Sequence, residues 1–319
     1  MALAVQIEGL SKRYRRRLPW DSQSTLAVDG LELSIPQGEI FGLLGSNGAG
    51  KTTTIKMIAG LVMPDAGRVS FPAWQRRPQL GAVLEGSRNL YWRLSVWENI
   101  AYFGELKGVY MNALRPQANQ LLEMFGLADK RDRPAQTLSR GMQQKLAVVL
   151  ALLGEPELLL LDEPTLGLDV SSSLTIQRLL RELVRERGLT IIVTTHQMEV
   201  AQAICRRVGI MKAGRIALED SIDSLVDLFR RWDYVLRMEE AAYRMVQRDL
   251  QEYEYEELDE QRPGQVSLRF RMPDNLAVYP LMELLAAYRV QLTQFSQEQP
   301  TLEEIFVKVT DGSREEEGE

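Results

Sequence analysis

The stretch Gly45-Ser46-Asn47-Gly48-Ala49-Gly50-Lys51-Thr52 follows directly on the apolar run Ile40-Phe41-Gly42-Leu43-Leu44. Glycine inside a regular element costs up to about 1 kcal/mol relative to alanine, so three of them at a strand end need a reason. The spacing G-x-x-x-x-G-K-[ST] supplies one, because glycines let backbone N–H groups turn inward around an anion. In this pattern the loop Gly45, Ser46, Asn47, Gly48, Ala49, Gly50 wraps the phosphates, with Thr53 just beyond it. Lys51 reaches the outer phosphates and the Thr52 hydroxyl ligates Mg²⁺. The run Thr53-Thr54-Ile55-Lys56-Met57-Ile58 opens a helix whose positive dipole end adds to the phosphate site. A ligand-free glycine-rich turn is the competing reading, and the strand–loop–helix context speaks against it. The expected ligand is a nucleoside triphosphate.

The chain has 319 residues, enough for one large and one small domain. Its 45% hydrophobic and 26% charged content is that of a globular protein, and a net charge of −6 argues against a general nucleic-acid binder. The basic run Lys12-Arg13-Tyr14-Arg15-Arg16-Arg17 reads as a solvated edge, or as a patch near the nucleotide or anionic headgroups. One cysteine, Cys205, excludes an internal disulfide and fits a reducing compartment. The apolar runs Leu146–Gly154 and Leu158–Leu161 fall short of the ~18–20 residues a membrane span needs. The N-terminus lacks the pattern of a signal peptide. Work at a membrane would therefore require a spanning partner.

Alternating apolar and polar residues predict half-buried strands over Val5–Tyr14 and Ala27–Ile35. A buried strand, Glu39–Leu44, feeds the glycine loop. Helical periods run from Leu94 to Gly126, and Leu138-Ser139 caps a helix over Gly141–Leu153. Short buried strands are expected at Leu158–Asp162 and Thr190–Thr194, with a helix over Leu174–Glu186 between them. This alternation implies an α/β fold with a mostly parallel sheet covered on both faces and an antiparallel β edge. Beyond Asp220 the pattern changes to β-α-β-β-α-β-α, the order of a small ferredoxin-like α+β domain. That order counts the acidic, aromatic segment Glu252–Glu260 as a strand, and the segment also reads as a solvated edge. The acidic tail 312–319 is expected to be disordered.

Further candidates follow the glycine loop. Leu158-Leu159-Leu160-Leu161-Asp162-Glu163 ends an apolar strand in two carboxylates. Asp162 suits Mg²⁺, and Glu163 can polarise an attacking water as general base. His196, the single histidine, lies at another strand end, where the γ-phosphate and water would be positioned. A metal-ligand role for it is poor because no Cys/His partners exist.

Together with Leu138-Ser139-Arg140-Gly141-Met142-Gln143-Gln144, these motifs resemble the ATP-binding cassette (ABC) ATPases over roughly residues 3–218. The resemblance implies a P-loop NTPase core at 1–218 with a helical subdomain at about 86–155. It also implies ATP and Mg²⁺ as ligands and a head-to-tail dimer enclosing two ATPs. Ser139 and Gly141 would complete the opposite subunit's site, although Arg140 and Met142 depart from the family's Leu-Ser-Gly-Gly-Gln. Gly167-Leu168-Asp169 matches the D-loop. Tyr14 sits where an aromatic stacks on adenine, with Trp20 as a competitor. Glu85 occupies the place of the Q-loop glutamine, either as a Mg²⁺ ligand or as a contact to a partner. The aromatic segment Asn89–Asn99 falls where the family docks its permease, and core packing is the alternative.

Residues 219–311, ending in Pro300-Thr301-Leu302-Glu303-Glu304-Ile305-Phe306, resemble the C-terminal extension of drug-exporter-type ABC ATPases. The implied function is the ATP-hydrolysing subunit of an ABC exporter, coupled to separate integral-membrane permease subunits at the cytoplasmic face of the cell membrane. A second ATP-binding subunit, identical or related, is implied, and nucleic acid is not. The alternatives are a soluble ABC ATPase in DNA repair or cofactor assembly and a regulatory module without turnover. The cargo is not legible in this chain.

Overall fold

The computed structural model describes residues 2–15, 24–74, 76–85, 89–229, 232–259 and 262–311. Two units emerge: Met1–Ile222 together with Phe306–Glu319, and Asp223–Ile305. The first unit opens with two long strands, β1 (Leu3–Arg15) and β2 (Ser24–Pro36), followed by β3 (Ile40–Leu44) and helix α1 (Lys51–Ile58). Strands β4 (Ala66–Ser70) and β5 (Leu80–Val83) come next. Three helices follow, α2 (Val96–Leu106), α3 (Met111–Met124) and α4 (Arg140–Leu152). Then come β6 (Leu158–Asp162), α5 (Val170–Arg187), β7 (Thr190–Thr195), α6 (Met198–Ile204), β8 (Arg207–Lys212) and β9 (Arg215–Ser221).

The main sheet has the order β5-β6-β7-β3-β8-β9, parallel except for β9, which pairs antiparallel with β8. Every residue of β3, β6 and β7 is buried, as expected when both faces of a parallel sheet are covered. A separate antiparallel sheet, β2-β1-β4, forms the β edge, and the alternating burial along β2 reflects one covered face. The helical stretch expected over Leu94–Gly126 is two helices. The chain turns between them where Val109 N–H closes back onto the Gly104 carbonyl. Ser95 and Glu98 start α2 with a reciprocal capping box, and Asp169 caps α5 through Ser172 N–H.

The second unit is entered through α7 (Ile222–Leu228). It contains β10 (Trp232–Glu239), α8 (Glu240–Leu250), β11 (Tyr255–Leu258), β12 (Gln265–Met272), α9 (Val278–Ala287) and β13 (Leu292–Glu298). The fully antiparallel order β11-β12-β10-β13 is the split β-α-β arrangement of a ferredoxin-like domain. Leu236, Val246, Leu268, Phe270 and Leu281 form its core, each fully buried. The segment Glu252–Glu260 satisfies both expectations: β11 is a strand, at the sheet edge, with Glu256 and Glu257 exposed. The final helix α10 (Leu302–Asp311) spans the division at Phe306.

Two bounds differ from the expected 1–218 and 219–311: the first unit runs on to Ile222, and residues from Phe306 group with it rather than with the second unit. A division after residue 218 would cut β9, whose Leu218, Glu219, Asp220 and Ser221 pair with β8, so the first unit continues to Ile222. Among the described residues no helix is long and apolar enough to cross a membrane.

Candidate functional site

The parallel sheet brings the carboxyl ends of β3, β6 and β7 side by side, which is where ligands bind in open α/β sheets. The glycine loop leaves β3 and delivers Lys51 as the first residue of α1. Gly50 has φ +107°, and a Cβ there would lie 2.3 Å from the Ala27 carbonyl oxygen, so no side chain fits. A cavity of about 580 Å³ opens over the loop, lined by Tyr14, Asn47, Gly48, Gly50, Thr52 and Thr53 among others.

Lys51 is 6% exposed, and its ammonium donates to the carbonyls of Gly45 at 2.7 Å and Ser46 at 3.2 Å. Burial pulls its pKa below the ordinary lysine value, an effect that Glu163, Asp162 and Glu85 oppose. Glu163 Oε1 lies 3.8 Å from the ammonium. This cation is turned inward on carbonyls and a carboxylate within reach of the cavity, a suitable place for an oxyanion.

Asp162 closes β6 and is 2% exposed. Its Oδ1 accepts hydrogen bonds from Thr52 Oγ1 at 3.1 Å and from Thr194 Oγ1 at 2.5 Å. Glu163 has a side chain 7% exposed, and its Oε1 is 2.9 Å from His196 Nδ1. The backbone of Glu163 sits at φ +51°, a left-handed conformation rare outside glycine. Asp162 Oδ2 and Glu163 Oε2 are both buried without a hydrogen-bond partner among the described residues. A buried carboxylate oxygen of Asp162 without a donor, on a side chain that also meets the Thr52 hydroxyl, suits a hard oxygen-seeking cation, so the donor set fits Mg²⁺.

Glu85 lies at the mouth of the site rather than in its floor. It is exposed and lines both the loop cavity and an adjoining cavity of about 660 Å³, whose wall includes Arg140, Gln144, Asp162 and Glu163. Ser139 and Gly141 are absent from the wall of the loop cavity. Ser139 caps α4 by accepting from Met142 N–H at 3.3 Å. Gly141 lets the start of α4 approach α5, since a Cβ there would meet Ser172 Oγ at 2.3 Å. Tyr14 lines the loop cavity and is 43% exposed, whereas Trp20 lies outside the described residues.

In the aromatic segment Asn89–Asn99, Asn99 is fully buried and pins the chain through bonds with Tyr91, Leu94 and Ser95, while Tyr91 and Trp92 remain exposed. The core-packing reading holds for Asn99. Sequence reasoning missed Thr25 and Ala27, which line the loop cavity from β2, and Thr194. The signal for Thr194 was its place at the carboxyl end of a buried strand, where an aliphatic residue would otherwise serve.

A family model described as ABC transporter matches residues 28–166. The ATP-binding protein NatA of Bacillus subtilis is 34% identical over 68% of this chain and 91% of its own length. The daunorubicin/doxorubicin resistance ATP-binding protein DrrA of Streptomyces peucetius is 32% identical over 96% of this chain and 92% of its own. Among solved structures, a dimeric ATP-binding cassette in a post-hydrolysis state with ADP and Pi superposes with a TM-score of 0.60 and 27% identity, covering 68% of this chain and 98% of that one. The CbiO1 subunit from Clostridium perfringens, part of an ABC transporter complex, superposes with a TM-score of 0.61 and 27% identity over 79% of this chain and 97% of its own. With its phosphate loop and terminal carboxylates assembled on this fold, the chain belongs to the ATP-binding subunits of ABC transporters and is an ATPase.

Proposed function

We propose that the chain is the ATP-hydrolysing subunit of an ABC exporter, pairing head to tail with a second cassette and driving separate permease subunits from the cytoplasmic face of the membrane. The observation that carries the hydrolytic part is Glu163: one carboxylate oxygen is held by His196, and the other is buried, unpartnered and beside the phosphate loop. In this reading the loop N–H groups from Gly45 to Thr53 and the Lys51 ammonium hold the phosphates, and Tyr14 stacks on the adenine. Thr52 and Asp162 hold Mg²⁺, which neutralises charge on the phosphates when bound. Glu163 takes the proton of the attacking water as the new oxygen–phosphorus bond forms and the bond to ADP breaks. His196 keeps the accepting carboxylate in place.

Ser139 and Gly141, which do not line this chain's own loop cavity, serve the ATP of the second cassette. The export direction rests on the reach of the similarity rather than on identity: the drug-resistance protein DrrA matches 96% of this chain, second unit included, whereas a methionine import protein of Burkholderia pseudomallei, 37% identical, matches 71% of it. Exposed Tyr91 and Trp92 offer the permease contact, since aromatics at a surface favour interfaces. The second unit, ferredoxin-like and without a phosphate motif, acts as the accessory domain of the drug-exporter type.

Glu163→Gln and Lys51→Ala test this reading together. Steady-state phosphate release should fall about 10²–10⁴-fold in Glu163→Gln, the usual worth of a general base, with ATP binding retained. Lys51→Ala should weaken ATP binding itself. A Glu163→Gln chain that turns over at the wild-type rate would remove Glu163 from the mechanism.

A further inference from the structure

Thr194 lies fully buried on β7, directly opposite Asp162 in the parallel register of β6 and β7. Its hydroxyl has two neighbours, Asp162 Oδ1 at 2.5 Å and Glu163 N at 3.1 Å. The backbone N–H can only donate, so the hydroxyl oxygen accepts from Glu163. The single hydroxyl hydrogen is then committed to the Asp162 carboxylate. The direction of every bond in this relay is fixed by chemistry: Glu163 N–H to Thr194 oxygen, Thr194 O–H to Asp162 Oδ1.

Two consequences follow. Asp162 Oδ1 receives hydrogens from both Thr194 and Thr52, which fills its inward side and fixes the carboxylate's rotation. The atom left over is Oδ2, the one buried without a partner. The second consequence concerns Glu163, whose left-handed backbone carries strain of about 1–2 kcal/mol. Its N–H is held twice by the same residue, by the Thr194 hydroxyl and by the Thr194 carbonyl, each at 3.1 Å. One side chain thus orients the carboxylate that faces the cation and the backbone that aims the base.

We infer that Thr194 is a positioning residue for both Asp162 and Glu163, selecting which Asp162 oxygen is presented to the metal and holding Glu163 in its strained conformation. The inference rests on the reading of Asp162 as a metal-holding residue. It separates the hydroxyl of Thr194, which does the orienting, from its methyl, which only fills space between strands. Valine keeps the shape and removes the relay, placing a methyl where Asp162 needs a donor. Serine keeps the relay and gives up the methyl.

The test is Mn²⁺ titration into the full-length chain with ADP, free Mn²⁺ being counted by electron paramagnetic resonance. Removal of an outer-shell partner weakens metal binding about 10–100-fold, so Thr194→Val should lose that much Mn²⁺ affinity, and Thr194→Ser should stay within about 3-fold of wild type. ADP affinity measured in EDTA should be unchanged in both. In hydrolysis at saturating metal, kcat should fall in Thr194→Val while KM for ATP holds. Should Thr194→Val not fold, Thr194→Ala removes the same hydroxyl without introducing a clash and must show the same loss. Wild-type Mn²⁺ affinity in the valine and alanine variants would overturn the inference, as would a serine variant as weak as the valine one. Asp162→Asn is the control for the underlying reading. If it binds Mn²⁺ normally, the metal role of Asp162 is wrong; if it loses Mn²⁺ while Thr194→Val does not, only the role of Thr194 falls.

Discussion

The ATP-binding unit and the ferredoxin-like unit treat buried and half-buried charge in opposite ways. At the strand ends of the first, Asp162 and Glu163 each keep one carboxylate oxygen without a donor, and Lys51 leans mainly on two backbone carbonyls. In the second, the Arg269 guanidinium sits between Glu256 and Glu298, with Glu298 Oε2 at 2.6 Å, and Arg271 pairs with Glu254 at 3.0 Å. Even Asp233 Oδ1, buried there without a hydrogen bond, has Arg271 Nε 3.9 Å away. Leaving a buried polar group unpaired costs about 1–3 kcal/mol, so a fold tolerates it where the group has work to do with a ligand. What sets the binding site apart is two neighbouring residues, Asp162 and Glu163, that each leave a carboxylate oxygen unpaired at the lip of one cavity, whereas Arg269 and Arg271 of the second unit's sheet are matched by carboxylates.

The contrast can be broken most forcefully in the scaffold. Phe270 is fully buried in the core of the second unit, and Phe270→Ala should cost about 3–5 kcal/mol there. Calorimetry should show a lowered transition for that unit, with nucleotide affinity unchanged by titration. Loss of nucleotide binding in a chain whose first unit stays folded would mean that the second unit does more than hold itself together.

A smaller effect is expected at Glu85, whose carboxylate is exposed at the mouth of both cavities rather than sunk beside Asp162. If it contributes an oxygen to the cation, Glu85→Ala should raise the Mg²⁺ concentration for half-maximal hydrolysis about 3-fold or more. Glu85→Gln should then strengthen metal-free ATP binding by easing repulsion from the triphosphate. Mg²⁺ dependence unaltered in both variants of the isolated subunit would assign Glu85 to partner contact.

The smallest effect concerns Lys107, a cation held by backbone carbonyls. Its ammonium donates to the carbonyls of Leu150, Ala151 and Leu153 at the end of α4, and burial pulls its pKa from 10.5 to about 8. The unfolded chain therefore binds more protons than the folded one between those values. Stability should rise with pH across that window, by less than about 1 kcal/mol because Lys107 is solvent-exposed. Urea unfolding of Lys107→Met at pH 7.5 and 10 should show this rise removed. An equal rise in the variant would place its origin elsewhere.

Much of the site could be read from local patterns. The phosphate loop and the Asp162-Glu163 pair announce themselves through spacing within a few residues, and Ser139 through its position ahead of an apolar helix. Strands β4, β8 and β9 carry no comparable signal. The alternation along β9 is weak, and its partner β8 is a six-residue run whose membership in the sheet depends on β3. The end of the first unit is hard to read for the same reason: residues 219–221 join it through pairing across a turn, not through their composition.

The amino-acid sequence alone determined that the chain binds a triphosphate on a P-loop core and that Glu163 and His196 stand at strand ends. These features depend on residue types at fixed short spacing, which the backbone converts directly into geometry. Tertiary structure decided the order β5-β6-β7-β3-β8-β9, which seats β7 between β6 and the strand of the phosphate loop. That order carries His196 to Glu163 and puts the Thr194 hydroxyl on Asp162 across 32 residues of chain. Periodicity tells a strand which faces to bury but not which neighbour it will have, and every long-range contact in this site is a consequence of the neighbour.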